Sequence, residues 1–242
     1  MEKAAENIKT YIEHFRGHLS AIRKVEGFEH SAQYRKLLYV AVLDALARCV
    51  YPRRGNRERQ VDFLTQFSEW QDLHKVSLPH LAHLLARTPD PAFAKLRRYV
   101  KEQLTKWPHG VSGSPSQDPD VKEVRKHWPS DKEHRFPLEG VQLESLQHVH
   151  LFVTYRNSLV HEFRTPGHGY EFPSEEPFYL GKLEGEVNQD SSVVRLLSYP
   201  VAFFERITTK CLDNLEKYLH ENDIDPYLSY TFGDYWIDEL NR

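Results

Sequence analysis

Three polar side chains stand close together near the end of an otherwise apolar stretch of the sequence. Arg156, Asn157 and His161 follow a run rich in leucine, valine and phenylalanine. In a helix, Asn157 and His161 are four positions apart and therefore share one face. The long side chain of Arg156 can bring its guanidinium back toward the imidazole. A guanidinium, an amide and an imidazole in this arrangement can together hold a phosphate and move a proton.

The stretch that carries these residues is predicted to be one long buried helix over residues 143–164. It contains no proline or glycine until Pro166 and Gly167, and its apolar residues cover most of the circumference, which is typical of a buried helix. A buried amide or hydroxyl without a partner costs roughly 2–7 kcal/mol. We therefore expect these polar groups to have partners. The helix dipole favours a positive imidazole at His161, in the final turn.

The six residues 156–161, Arg-Asn-Ser-Leu-Val-His, resemble the R-[polar]-x-x-x-H signature of HEPN-domain ribonucleases. In that family the motif lies near the end of a buried helix, and its polar second residue is commonly Asn, Asp or His. The resemblance covers residues 31–220 loosely and the six-residue motif tightly. It implies an all-α protein with a HEPN-like helical bundle.

The resemblance also implies a metal-independent endoribonuclease that needs no cofactor. His161 would take the proton from the RNA 2′-hydroxyl as general base. Arg156 would stabilise the charge on the phosphorane oxygens, and Asn157 would orient His161 and contact the phosphate. The products would be a 2′,3′-cyclic phosphate and a 5′-hydroxyl. Because two subunits meet along their motif helices in this family, a homodimer with a composite active site is implied.

Proteins of this family typically serve as toxins or antiviral defence effectors, so an RNA substrate and an antitoxin or regulatory partner are implied as well. One subgroup carries a tyrosine two positions after the motif histidine, where this chain has Phe163. Two other interpretations stay open. In one, Arg156 and His161 hold RNA or a nucleotide, or tie a dimer together, without catalysis. In the other, Arg156 pairs with a carboxylate and His161 is a satisfied core histidine.

A second helix, predicted over residues 31–51, is apolar nearly all round and has Asp44 at its centre. A lone carboxylate in a buried helix needs a partner. We predict that Asp44 supports the motif by facing Arg156 and His161. A bond to a local arginine such as Arg48 is an equally open alternative.

Four arginines follow Pro52 within seven residues, namely Arg53, Arg54, Arg57 and Arg59. Such a cluster can grip phosphates along a nucleic acid. It can equally be a solvated loop, which is the usual fate of charge runs.

The remaining periodicity predicts six or seven helices in all and a small β-hairpin before the last helix. The resemblance implies that residues 1–242 form a single HEPN-like domain. A stretch rich in proline, serine, glycine and charge is predicted to be a flexible insertion over 108–138. The residues 222–242 form an aromatic and acidic C-terminal tail. The predicted helices lie at 3–25, 31–51, 57–74, 77–87, 90–106, 143–164 and 201–221, and the hairpin at 177–199.

Composition narrows the class of protein. The net charge of −3 argues against a protein that coats DNA along a generally basic surface. The two cysteines, Cys49 and Cys211, lie in apolar helical surroundings, which indicates a reducing compartment. We find no apolar segment of membrane-spanning length and no signal peptide, so we expect a cytoplasmic protein that does not bind a membrane.

Histidines at helical spacing raise the question of a metal. His14 and His18 are four positions apart, and His80 and His83 repeat a similar spacing. No carboxylate or third histidine accompanies the first pair at a matching offset. We therefore predict a solvated face and no metal site.

Overall fold

The computed structural model describes residues 2–107, 112–130, 133, 135–136, 140–166, 171–184 and 192–228. The chain contains two compact units. The first unit comprises Met1–Glu69 and Phe204–Arg242, and the second comprises Trp70–Phe203.

The first unit is built from helices. They are α1 (Glu2–Arg23), α2 (Ser31–Val50), α3 (Asn56–Phe67) and most of α8 (Val201–Glu221), followed by a short 3-10 turn at Pro226–Leu228. The apolar stripe of α1 is buried as its periodicity predicts, from Ile8 through Phe15 to Ile22. Burying such side chains contributes roughly 1.5–3 kcal/mol each. Burial of one face is thus what holds α1 in this unit.

One carboxylate ties three of these helices together. Glu205 on α8 accepts from Arg23 Nε on α1 at 2.7 Å and from Arg35 Nη2 on α2 at 2.9 Å. The hydroxyl of Tyr39 donates to the same carboxylate at 3.0 Å. The first unit therefore has an ionic cluster at a partly exposed edge, which holds α1, α2 and α8 together.

The second unit combines short helices with a small sheet. Its elements are α4 (Leu78–Ala86), α5 (Ala94–Thr105), β1 (Ser112–Gly113), α6 (Val121–Arg125), α7 (His148–His161), β2 (Phe178–Glu184) and β3 (Ser192–Ser198), with 3-10 turns at Pro91–Phe93, Pro115–Gln117 and Leu143–Leu146. At its centre the ring of Trp70 packs edge-on against Phe152, Tyr199 and Phe203. Aromatic packing thus joins α7 to the start of α8 within this unit.

The helical fold class and the hairpin before the last helix are confirmed. The described residues contain eight α-helices rather than six or seven, because the short α6 forms within the predicted insertion. Strands β2 and β3 pair antiparallel with Tyr179 opposite Leu197, and β1 adds a third antiparallel strand beside β2. The residues 185–191 at the predicted turn lie outside the described residues.

The helix that carries the motif begins later than predicted. Gln147 is extended, with φ −68 and ψ 147, and separates a 3-10 turn from α7. The amides of His148 and Val149 donate to the carbonyls of Lys75 and Leu73 at 3.1 and 2.9 Å. These tertiary bonds satisfy amide groups that have no partner inside a helix. Packing against residues 73–77 therefore makes α7 begin at His148, and not at residue 143 as the periodicity predicts.

The stretch predicted to be a flexible insertion contains buried residues. Asp118, Val124, Trp128 and Phe136 are all buried, and Trp128 packs against Phe93 at a ring distance of 5.2 Å. Single aromatic residues, widely spaced in a polar sequence, provide this core. The residues 108–111, 131–132, 134 and 137–139 of this region lie outside the described residues. So do the residues 229–242 of the predicted C-terminal tail.

Within the described ranges, no helix combines the length and the apolar character needed to cross a membrane.

Candidate active site

The motif occupies the last turns of α7, as the sequence predicts. Arg156 is buried, Asn157 is half-buried, and His161 is exposed as the final residue of the helix. Because Asn157 and His161 are one helical turn apart, their side chains leave the same face. The helix thus carries a buried cation, an amide and an exposed imidazole in one short segment.

Arg156 is held by its neighbour in the sequence. Its side chain is only 6 % exposed, and Nη1 donates to Asn157 Oδ1 at 2.9 Å. Burial lowers the pKa of the Arg156 guanidinium from its ordinary value. A charged group that has already lost much of its water can interact strongly with an arriving anion, because the local dielectric is low. The amide of Asn157 fixes the direction in which this cation points.

The end of α7 has a strained backbone. Phe163 has φ +53, a left-handed conformation that a bulky side chain rarely adopts. The amides of Glu162 and Arg164 both donate to the carbonyl of Ser158, at 3.0 and 3.2 Å. These bonds close the helix directly after His161. The left-handed residue turns the chain sharply and leaves His161 at an exposed helix end.

Asp44, predicted to support the motif, belongs to the first unit, whereas Arg156 and His161 belong to the second. The carboxylate of Asp44 accepts a hydrogen bond from Gln60 Nε2 on α3. Gln60 is buried on the following helix, and its contact with Asp44 was not predicted from the sequence.

The four arginines after Pro52 differ in their surroundings. Arg54 forms an ion pair with Asp62 and lies over the ring of Tyr51 at 4.8 Å. Arg59 Nη2 donates to the side chain of Asn56 at 3.1 Å, and burial, followed by the nearby charge of Arg48, lowers its pKa.

The other two arginines of this cluster, Arg53 and Arg57, are exposed. Arg54 and Arg59, two of the four predicted phosphate-binding residues, therefore already have intramolecular partners.

The paired histidines have different environments. On α1, His14 and His18 bring their Nε2 atoms to 3.1 Å from each other. Burial, followed by the charge of His18, lowers the pKa of His14. On α4, His80 Nδ1 lies 2.7 Å from Ser77 Oγ. Over the part of the chain that the structure describes, no group of three or more metal-ligating side chains converges.

A buried polar network lies at the opposite end of α7. Asp118 Oδ2 accepts from His148 Nε2 at 2.8 Å and from the Tyr179 hydroxyl at 2.6 Å. Asp118 Oδ1 accepts from the backbone amide of Leu78 at 2.9 Å, the first amide of α4. A carboxylate at a helix N-terminus is favoured by the helix dipole. Asp118 therefore caps α4 and anchors α7 and β2 at the same time.

Ser77 and His80 extend this network. The Tyr179 hydroxyl lies 2.8 Å from Ser77 Oγ, which in turn contacts His80 Nδ1. A tyrosine hydroxyl has one proton, and donating it to Asp118 leaves the oxygen to accept from Ser77. His80 Nδ1 then donates to Ser77. Every hydrogen bond in the chain from His80 through Ser77 and Tyr179 therefore donates toward the carboxylate of Asp118. Burial, followed by the charge of Asp118, raises the pKa of Tyr179 well above its ordinary value.

The sequence does not predict this network, because the composition of residues 108–138 indicates a flexible insertion. His148, the first residue of α7, is fully buried, and so are Tyr179 and the side chain of Asp118. One signal was present in the sequence. Asp118 stands before Pro119 in a segment that also contains Trp128 and Phe136, and isolated aromatic residues in a polar stretch often mark docking onto a core.

Comparison of the chain with protein-family models, with curated proteins and with solved structures finds no match.

Proposed function

We propose that the protein is a metal-independent endoribonuclease of the HEPN type, with Arg156, Asn157 and His161 as its active residues. The observation that supports this proposal is the pairing of a buried guanidinium with Asn157, one turn before an exposed histidine that ends the helix. A cation for phosphate and a group for proton transfer lie within six residues of one rigid helix. The proposed cleavage uses the RNA's own 2′-hydroxyl as the nucleophile and so needs no cofactor.

In the proposed mechanism His161 acts on the proton. Its exposed position at the helix end allows an RNA ribose to approach, and the imidazole removes the proton from the 2′-hydroxyl. A positioned general base typically contributes roughly 10²–10⁴-fold to the rate. The oxygen then attacks the adjacent phosphorus, and the bond to the 5′-oxygen of the next nucleotide breaks. This departing oxygen takes up a proton from water, and the imidazolium of His161 returns its own proton to solvent. The products are a 2′,3′-cyclic phosphate and a 5′-hydroxyl.

Arg156 has the complementary role of stabilising the charge that develops on the phosphorane oxygens. Preorganised donors are most effective when they need no rearrangement during the reaction. The hydrogen bond from Nη1 to Asn157 Oδ1 provides such an arrangement. Asn157 also shares a helix face with His161, which makes it the link between the cation and the base.

The proposed enzyme is a homodimer through the end of α7. Val160 and Phe163 are 38 % and 54 % exposed on either side of His161. A strained backbone at an exposed aromatic residue is a feature that folding alone does not favour, because it costs of order 1–3 kcal/mol. A second copy placed on this surface would bury both side chains and bring two histidines to one cleft. An isologous contact of this kind is the commonest form of dimer.

Exposed arginines of the first unit provide the proposed RNA contact outside the cleavage site. Arg53 and Arg57 are exposed, whereas Arg54 and Arg59 already have partners. Changing Arg53 and Arg57 to glutamine should weaken RNA binding uniformly across sequences and reduce its salt dependence. Titration of labelled RNA at two salt concentrations measures both effects.

A second candidate is a non-catalytic binding module that uses the same residues. The exposed apolar side chains of Val160 and Phe163 favour this candidate, because such side chains indicate an interface and do not themselves take part in catalysis. In this case Arg156 and His161 would hold RNA or a nucleotide at a dimer contact. The two candidates differ in one measurable property, which is cleavage of the bound RNA.

The deciding experiment incubates purified protein with RNA in the presence of EDTA. We expect cleavage that survives chelation, with cyclic phosphate ends, and a loss of roughly 10²–10⁴-fold in the His161→Ala variant. His220→Ala is the matched control, because His220 is also an exposed histidine in the last turn of a helix. A folded His161→Ala protein that cuts at the parental rate excludes the proposed mechanism. RNA binding without cleavage under any condition supports the binding module instead.

The dimer is tested separately by light scattering. A charge introduced by Phe163→Glu should convert the dimer to a monomer, because the contact would then bury an unpaired carboxylate. Phe172→Glu is the matched control, since Phe172 is another exposed phenylalanine of the second unit, 44 % exposed, whose ring contacts Phe178 on β2. Wild-type protein that is monomeric at micromolar concentration excludes the proposed composite site.

A further inference from the structure

Helices α4 and α5 leave an open apolar groove on the second unit. Helix α5 lines it with Arg97, Val100, Lys101 and Leu104. Their spacing of three and four residues places these side chains on one helix face. The groove has a volume of about 510 Å³, within the range of roughly 300–1,000 Å³ that small-molecule sites occupy. It is therefore large enough for a small organic ligand.

Trp107 forms a rigid wall of this groove. The ring is almost fully buried and packs against Tyr179 at a ring distance of 5.2 Å. Gly113 on β1 approaches so closely that a Cβ there would lie 2.8 Å from the ring carbons Cε3 and Cζ3. The indole thus fills the space against the sheet, and its position is set before any ligand arrives.

Arg195 is held over the same ring. Its guanidinium carbon lies 5.3 Å from the centre of the Trp107 ring, a distance at which cation–π attraction acts. Arg195 pairs across the strands with Gly181, which has no side chain to compete for the space beside it. The structure therefore holds a cation at the rim of an apolar groove.

The charges around the groove have one sign. Among the described residues, its charged lining consists of Arg97, Lys101 and Arg195, with no carboxylate.

The guanidinium of Arg97 donates to the carbonyls of Leu85, Thr88 and Asp90 and so fixes the end of α4. Lys101 is exposed at the rim. Lys101 and Arg195 are thus the cations that an incoming anion would meet.

We propose that this groove binds a small free organic anion with an aliphatic body, of the acyl carboxylate class. The chain would lie along Leu85, Val100 and Leu104, and the carboxylate would meet Lys101 and Arg195. Aliphatic walls favour an acyl chain over a planar base, because Arg195 already covers a face of Trp107. This binding site is independent of the proposed ribonuclease activity.

The test measures binding of decanoate to the full chain by equilibrium dialysis, below the concentration at which micelles form. Decanol and decyltrimethylammonium have the same chain with a neutral or a positive head. We expect decanoate to bind most tightly, decanol more weakly, and the cation least. Equal binding of all three would overturn the proposed anion selectivity, and so would failure of the folded protein to bind decanoate at millimolar concentration.

Variants locate the site. Changing both Lys101 and Arg195 to glutamine should weaken decanoate binding about tenfold, which corresponds to about 1.4 kcal/mol, and leave decanol binding unchanged. Arg98→Gln is the charge-matched control for Lys101→Gln, because Arg98 is an exposed cation on α5 outside the groove. Lys101→Gln alone should weaken decanoate binding by less than the double variant, and it leaves the contact between Arg195 and Trp107 in place.

A filling variant completes the design. Ala82→Phe places a ring in the groove and should abolish decanoate binding, with the melting temperature showing that the protein remains folded. Decanoate binding that survives Ala82→Phe in a folded protein would overturn the assignment to this groove. Equal weakening of binding by Arg98→Gln and Lys101→Gln would show that only overall charge matters, and would overturn it as well.

Discussion

Helix α7 carries a histidine at each end, and the two have opposite environments. His148, at the amino end, is fully buried and donates to Asp118 at 2.8 Å. His161, at the carboxyl end, is exposed beside the strained Phe163. The same residue type on the same helix is thus a tertiary anchor at one end and an accessible group at the other.

The difference shows how the helix divides its tasks. At the amino end, the three hydrogen bonds described for the Asp118 side chain join it to α4, α7 and β2, so the network positions the helix. At the carboxyl end, Arg156 donates to Asn157, and His161 is exposed. Fixing one end of a rigid helix orients the groups at the other. Changes at the two ends should therefore affect different measurements.

The largest effect on stability is expected at Asp118. Asp118→Ala removes the acceptor of His148, of Tyr179 and of the first amide of α4. Each buried donor left without its acceptor costs roughly 1–3 kcal/mol, so the variant should lose about 3 kcal/mol or more of the free energy of unfolding. Urea denaturation measures this loss. The comparison variant His161→Ala should stay within about 0.5 kcal/mol of the wild type, as exposed substitutions usually do.

A small effect of Asp118→Ala, comparable to that of His161→Ala, would contradict the contrast between the two ends. It would mean that apolar packing around Trp70, and not the polar network, holds the amino end of α7.

The second expected effect is a dependence of the free energy of unfolding on pH, caused by His80 in the buried network at the amino end of α7. Burial, followed by the charges of His148 and His83, lowers the pKa of His80 to about 4. Because the unfolded chain binds this proton below about pH 6.5, the free energy of unfolding should be highest above that pH. It should fall between about pH 6.5 and 4, by an amount on the order of 3 kcal/mol.

Urea denaturation of the wild type and of His80→Gln across this pH range checks the sign. The stability advantage of the wild type, measured as the difference in free energy of unfolding, should shrink as the pH falls, because the variant has no imidazole at position 80 to protonate. His220→Gln, at an exposed site on α8, should keep the wild-type slope. A His80→Gln protein with the wild-type slope would contradict the assignment to His80.

The smallest effect is expected at the exposed end. Phe163→Gly removes the side chain that makes the left-handed conformation at φ +53 unfavourable. The left-handed conformation costs roughly 1–2 kcal/mol for a non-glycine residue, and the greater freedom of glycine in the unfolded chain offsets part of this. We therefore expect a gain of about 1 kcal/mol in the stability of the monomer, measured by thermal denaturation at protein concentrations too low for the proposed dimer to form. A loss of stability would show that packing of the Phe163 ring outweighs the strain.

Much of the fold could be predicted from the sequence. The stripe of α1, the apolar helix α2, the hairpin and the last helix all lie where their periodicity places them. These elements are set by local patterns of three to four residues in helices and of two in strands. Of the candidate site, the helical spacing of Asn157 and His161 was predictable for the same reason. The bond between Arg156 and Asn157 is likewise a contact between sequence neighbours.

The start of α7 and the partners of the buried polar groups could not be predicted in this way. The apolar pattern continues on both sides of Gln147 and predicts one long helix. Carbonyls more than seventy residues earlier in the chain accept from the amides of His148 and Val149, and α7 therefore begins at His148. Asp44 bonds to Gln60, and Asp118 joins His148 to Tyr179. A sequence shows that a buried charge needs a partner. Which partner it has depends on contacts between distant segments, and only the tertiary structure brings those segments together.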